Sequence, residues 1–127
     1  MAREEIRTSA APAPGGAYSQ GVRIGRILYT AGLGPHHPET KAVVGEDIEA
    51  QTEQTMRNLA AVLEAAGAGF GDVIKTTVHL QELRRDFAGF NRVYQRFLQA
   101  PYPARTTVGS QLSGILVEID MMAVLPA

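Results

Sequence analysis

At 127 residues the chain fits one domain, 1–127, and leaves no room for a second core; 45% apolar and 20% charged residues exclude a disordered segment. Twelve Lys and Arg against thirteen Asp and Glu give a net charge of -1, so no basic excess exists to neutralise a run of phosphates, which argues against a nucleic-acid binder. The absence of cysteine excludes disulfides, thiolate zinc sites, iron–sulfur clusters and a Cys nucleophile.

In chain order, Met1 to Ile6 lacks the apolar stretch of a signal peptide, and the apolar runs further on are broken well before the ~18 residues of a membrane span. A soluble, cytoplasmic domain with no membrane partner is expected. Residues 1–17, rich in Pro, Ala and Gly from Ser9 on, predict a short edge strand at best and then an extended loop. Val22 to Ile24 and Ile27 to Ala31, split by Gly25-Arg26, predict a tight hairpin, and Gly32 to Gly45 a loop.

Asp47 is a helix cap, after which Ile48, Thr52, Met56, Leu59, Leu63 and Ala66 fall on one stripe and Gly67 takes the C-terminal turn. Val73 to Leu80 alternates as a strand, with Ile74, Thr76, Val78 and Leu80 on one side. Phe87, Phe90, Tyr94, Phe97 and Leu98 repeat at helical spacing before Pro101 and Pro103. Arg105 to Gln111 and Leu116 to Leu125 predict a final strand pair around Ser113-Gly114.

The resulting order, β-β-β-α-β-α-β-β, is an α+β domain with a physical problem. Two one-sided helices cover only one face of the sheet. On the last strand Val117, Ile119, Met121 and Ala123 share one face, while Leu116, Glu118, Asp120, Met122 and Val124 share the other. That second face mixes carboxylates with large apolar groups, which favours self-association through the sheet and a ligand site between subunits over a half-wet open sheet.

Several motifs dissolve on inspection. Gly67-Ala-Gly69-Phe-Gly71 follows a helix and precedes a strand, the wrong order for a phosphate loop. Gly109 to Gly114 is not a nucleophile elbow, since no helix follows it. His36 and His37 sit on a Pro-flanked loop beside Glu39, where adjacent ring nitrogens do not converge on one metal, so they are expected to be solvated. His79, mid-strand, is expected to be a satisfied surface or interface side chain. Arg105 is more informative. It follows Pro101-Tyr-Pro-Ala104, which fixes where a strand begins, and a guanidinium near the sheet face that carries Glu118 suits a bidentate grip on a small carboxylate. The alternative is a structural ion pair with Glu118 or Asp120. Glu118, an acid among large apolar strand neighbours, suits acid–base work. For Tyr18 and Asn91 the residues alone indicate only hydrogen bonding in a core or loop. They give a small-anion site, and no reaction.

Gly16 to Val22, Tyr29 to Gly32, Gln51 through Gly67, Asp72 to Val78, Phe87 to Asn91, Tyr102-Pro-Ala-Arg105-Thr-Thr-Val108 and Val117 to Asp120 together resemble the reactive intermediate deaminase family, RidA or YjgF, also known as L-PSP endoribonuclease-like. The likeness runs from about Tyr18 to Val124. It implies a chorismate-mutase-like fold, a six-stranded mixed sheet with two helices packed on one face, assembled as a homotrimer with sites between subunits. It implies cofactor-free, metal-free hydrolysis of enamine and imine acids such as 2-aminoacrylate and 2-iminobutanoate to 2-oxo acids and ammonium. By the same resemblance Arg105 clamps the carboxylate and Glu118 positions or deprotonates the water. Tyr18 shapes the pocket or bonds the substrate, Asn91 supports the site, backbone groups around Arg105 and Thr107 hold the imine nitrogen, and the Ala31-Gly32 segment borders the substrate.

Two departures stand out. Active members of the family often carry Ser at the position of Ala31, and the turn at Leu112-Ser-Gly114 is about two residues shorter than usual, an even change that keeps Glu118 on its sheet face. Competing readings are a non-catalytic binder of small carboxylates and a ribonuclease, against which the charge balance and the absence of a suitable His pair both argue.

Overall fold

The computed structural model describes residues 2–127. Strands β1 (Glu4–Ile6), β2 (Gly21–Ile24) and β3 (Ile27–Thr30) are followed by helix α1 (Ile48–Ala65), strand β4 (Val73–Leu80), helix α2 (Leu83–Tyr94) and strands β5 (Ala104–Gly109) and β6 (Val117–Val124). The six strands form one mixed sheet in the order β1-β2-β3-β6-β4-β5, parallel only between β4 and β5. A parallel neighbour needs a crossover, and α2 supplies it.

Helix α1 is bounded as its sequence dictates. The Asp47 carboxylate accepts from the Ala50 N–H at 2.8 Å. At the other end Gly67, at φ +79°, turns the chain so that Gly67 N and Ala68 N donate to the carbonyls of Glu64 and Leu63, both at 2.9 Å, a Schellman closure. Met56, Leu59, Val62 and Leu63 of α1 and Phe90 of α2 are fully buried against Leu28, Val78, Leu80, Val117 and Ile119 of the sheet. Each such side chain contributes about 1.5–3 kcal/mol of burial.

Four expectations need correction. The buried face of α1 is wider than the apolar stripe, taking in Gln51, Thr55, Asn58 and Val62 as well. Hydrogen bonds make that possible: Gln51 donates to Gly45 O and Asn58 to the carbonyls of Gly34 and His36, all in loops, while the Thr55 hydroxyl donates to Gln51 O one turn back in the helix. Ile74 lies outside, 47% exposed, because a bulge between Val73 and Lys75 inserts a residue and puts Val73 in the core instead. The second helix stops at Tyr94 and tightens into a short 3-10 turn, Gln95–Phe97, before the prolines are reached. Finally, β5 and β6 do not pair with each other; β4 lies between them.

That last point decides which side chains share a face. Arg105 and Thr107 oppose Thr76 and Val78, whose side chains are buried toward the helices. Glu118 and Asp120 oppose His79 and Thr77 on the side that no helix covers. This uncovered side also carries Tyr29 and Val108, 57% and 37% exposed. No helix among the described residues is long and apolar enough to cross a membrane.

Candidate active site

Arg105 leaves β5 on the helix side and lies among three aromatic rings of α2, its guanidinium carbon 5.0 Å from the centroid of Tyr94, 5.5 Å from Phe90 and 5.7 Å from Phe87. Rings spaced by three and four residues on one helix face make a slot for a planar cation. Nη1 donates to Asn91 Oδ1 at 2.7 Å. No carboxylate pairs with Arg105 among the described residues, so the ion pair with Glu118 or Asp120 is absent. The guanidinium borders a cavity of about 350 Å³ with Asn91, Tyr94, Gln95, Tyr102 and Pro103. Burial raises the Tyr94 hydroxyl above its ordinary value, opposed by its hydrogen bond with Thr76 and by the Arg105 charge. The bond to Thr76 Oγ1 is 2.8 Å.

Glu118 opens into a different cavity, about 320 Å³, shared with Tyr18, Gly32, Gly34, His36 and Lys41. A side chain on Gly32 would place its Cβ 2.9 Å from Glu118 Oε2, so glycine is what allows the carboxylate to lie against the chain there. Tyr18, 52% exposed, accepts from the Gly15 N–H at 3.0 Å through its phenol oxygen, which leaves its own proton free for the cavity. Ala31 is held by its N–H to Gln20 O at 2.8 Å and borders a neighbouring depression with Tyr18, Val22 and Tyr29. Asp120, two residues beyond Glu118, is held above its ordinary value by burial, an effect opposed by His79 and Lys75. No group of three or more His, Asp or Glu that could hold a metal ion occurs among the described residues.

The sequence placed Arg105 near the sheet face that carries Glu118. The register overturns this within one chain: the two point from opposite faces, with β4 between their strands. Tyr18, Gly32 and Glu118 form one group, Asn91 and Arg105 another, and neither Ala31 nor Thr107 borders either cavity.

Some site residues were not foreseen. Buried Gln20 pins the N-terminal loop by accepting from Thr8 N at 2.7 Å and donating to the carbonyls of Thr8, Ala11 and Pro12 at 3.0, 3.2 and 2.8 Å. Asn58 donates to the carbonyls of Gly34 and His36, both at 2.9 Å, and so fixes the loop beside Glu118. Nothing in the sequence around Gln20, between Ser19 and Gly21, or Asn58, after Arg57, signals these roles. Lys41 and His36 had no signal beyond their place in a loop.

A profile of the family described as Endoribonuclease L-PSP matches residues 8–125. A RutC family protein of Saccharolobus solfataricus is 46% identical over 123 residues, covering 95% of this chain and 97% of that one. The 2-iminobutanoate/2-iminopropanoate deaminase of Salmonella typhimurium is 41% identical over 124 residues, covering 94% and 95%. The crystal structure of RidA from the Antarctic bacterium Psychrobacter sp. PAMC 21119 superposes with a TM-score of 0.91 at 40% identity, covering 96% of this chain and 99% of that one. With that agreement in sequence along the chain, and with six strands and two helices to match, the chain belongs to the RidA/YjgF family, the Endoribonuclease L-PSP family of the profile.

Proposed function

We propose that this protein hydrolyses small 2-imino acids to 2-oxo acids and ammonia, in a site that two copies of the chain build together. The observation that carries the proposal is the separation of the two charged groups. Arg105 has a guanidinium without a carboxylate partner at one cavity, and Glu118 has a carboxylate at another on the opposite sheet face. One chain cannot bring them to a single small substrate. A second copy laid on the uncovered face, where Tyr29 and Val108 stand exposed, can. The similarity to the Salmonella deaminase supports the reaction, and the family resemblance supports a trimer.

In that site Arg105, fixed by Asn91 and the aromatic slot, grips the substrate carboxylate and holds the molecule in one pose. Glu118 accepts a proton from water as the water oxygen adds to the imine carbon, and the C=N bond becomes C–N. That proton passes to the nitrogen, the proton of the new C–O–H group follows it, and as C=O forms the C–N bond breaks and ammonia leaves. Tyr18 donates its free O–H to the substrate or the tetrahedral intermediate.

The test generates 2-iminobutanoate with a threonine dehydratase and follows its decay with and without the protein. Faster decay is expected, and Arg105→Ala should lose nearly all of the acceleration. An Arg105→Ala protein as fast as the wild type removes the mechanism. Protection of the fold by 2-oxo acids without any turnover would mark a binder instead.

A further inference from the structure

The cavity beside Glu118 holds more charge than a small monocarboxylic imine needs. Besides Glu118 and Tyr18, its lining includes Lys41 and His36. Lys41 is also the only non-glycine residue with a positive φ, +63°, among the described residues. It closes a tight turn in which its N–H donates to His37 O at 2.9 Å and His37 N donates to Ala42 O at 2.8 Å. Glycine or asparagine would adopt that conformation at lower cost, so the turn itself does not call for lysine. Lys41 has no ion-pair partner among the described residues. Glu39, the acid of the same turn, borders a different depression with Arg7 and Thr8.

His36 is placed as firmly. Its carbonyl accepts from Asn58 at 2.9 Å, and its ring lies close enough to Gly34 that a Cβ there would stand 3.2 Å from both Cε1 and Nδ1. The cavity thus has an acid at Glu118 and two basic groups, Lys41 and His36, on a segment anchored to the buried face of α1. In the shared site proposed above, the partner copy's guanidinium takes the carboxylate next to the imine carbon. Lys41 and His36 are then left for a second anionic group.

The geometry points to 2-imino dicarboxylic acids as the preferred substrates, with Lys41 as the specificity-determining residue that holds the distal carboxylate. This rests on the deaminase reading for its chemistry and on the cavity lining for its selectivity. The reaction balances as before: the imine and water give the 2-oxo dicarboxylate and ammonia, and the distal carboxylate takes no part in bond changes.

Two measurements separate this inference from the reading beneath it. Imines are made with amino acid oxidases and catalase, the dicarboxylate from aspartate and the monocarboxylate from 2-aminobutyrate, and spontaneous hydrolysis is subtracted. The wild type should favour the dicarboxylate, and Lys41→Gly, which suits the turn and should fold at least as well, should lower the ratio of the two kcat/KM values about five- to tenfold. Lys41→Arg should keep the ratio within about twofold. Titration calorimetry with 2-oxoglutarate and 2-oxobutanoate should show a matching loss of selectivity in Lys41→Gly. An unchanged ratio in both measurements overturns the inference while leaving the deaminase reading intact. Lys41-dependent selectivity in calorimetry with no turnover of either imine upholds the part of the inference that gives Lys41 the distal carboxylate, and overturns the deaminase reading together with the claim that the dicarboxylate is a substrate.

Discussion

A shared site has a numerical consequence. Strands in a sheet lie about 4.8 Å apart, so with β4 between them β5 and β6 are about 10 Å apart, and the Arg105 and Glu118 side chains leave opposite faces. Two chains, one with Arg105→Met and one with Glu118→Gln, should each be nearly inactive, with losses on the order of 100-fold or more. Methionine keeps an extended apolar side chain against Phe87, Phe90 and Tyr94, and glutamine keeps the shape beside Gly32. If the two chains are co-expressed with different tags and purified through both, every particle of the proposed trimer contains both kinds. Either composition, two to one or one to two, leaves one junction where a native Arg105 meets a native Glu118. Activity should therefore return to about one third of the wild type, against about one half for a two-fold dimer. The assay is imine decay on the doubly purified material. Activity that stays at the level of the single variants would refute the two-chain site.

Gly32→Ala should lower kcat about tenfold or more, because the new Cβ displaces the Glu118 carboxylate, while the melting temperature, read by thermal denaturation, changes little at this exposed position. Asp120 tests the uncovered face: burial holds its carboxyl above the ordinary 3.8, so the folded chain keeps this proton more tightly than the unfolded chain does. Its contribution to stability is present below that ordinary value and is lost as pH rises through the folded-state value, so Asp120→Asn should raise Tm over the wild type more at pH 7 than at pH 4, and an equal difference at both would refute this.

How much of this was legible beforehand depends on the range of the interaction. Caps and periodicity are local, and Asp47, Gly67 and the α1 stripe followed from spacing alone. The alternation of β6 is equally local, and the faces expected for Glu118 and Val117 are those observed. What failed was non-local. Nothing between residues 104 and 124 signals that β4 inserts between the last two strands, and a hairpin is the cheaper assumption for neighbours in sequence. The misplacement of Arg105 relative to Glu118 followed from that one assumption. Ile74 failed for a smaller reason of the same kind, since a bulge is set by the partner strand as much as by the strand that carries it. The roles of Gln20 and Asn58 were invisible because their partners are loop carbonyls 8 to 12 and 22 to 24 residues away.

The turn before β6 shows how these buried amides bear on the site. Between Leu112 and Leu116 little chain is left to set the start of the strand that carries Glu118, so other contacts fix its register. Gln51 of α1 does this from within the helix: its side-chain oxygen accepts from Leu116 N at 2.8 Å while its amide donates to Gly45 O at 3.0 Å. Gln81 holds the other side, accepting from Leu112 N at 2.6 Å through its side chain and donating to Leu116 O at 3.0 Å through its backbone. Leu33 then exchanges two backbone hydrogen bonds with Ile119, at 2.9 and 3.0 Å, which joins the Gly32 loop to β6 one residue past Glu118. Glu118 is therefore held by the helix that buries Gln51 and Asn58 and by the loop that Asn58 anchors. The face that Glu118 takes is thus set by hydrogen bonds from α1, Gln81 and the Gly32 loop on either side of β6.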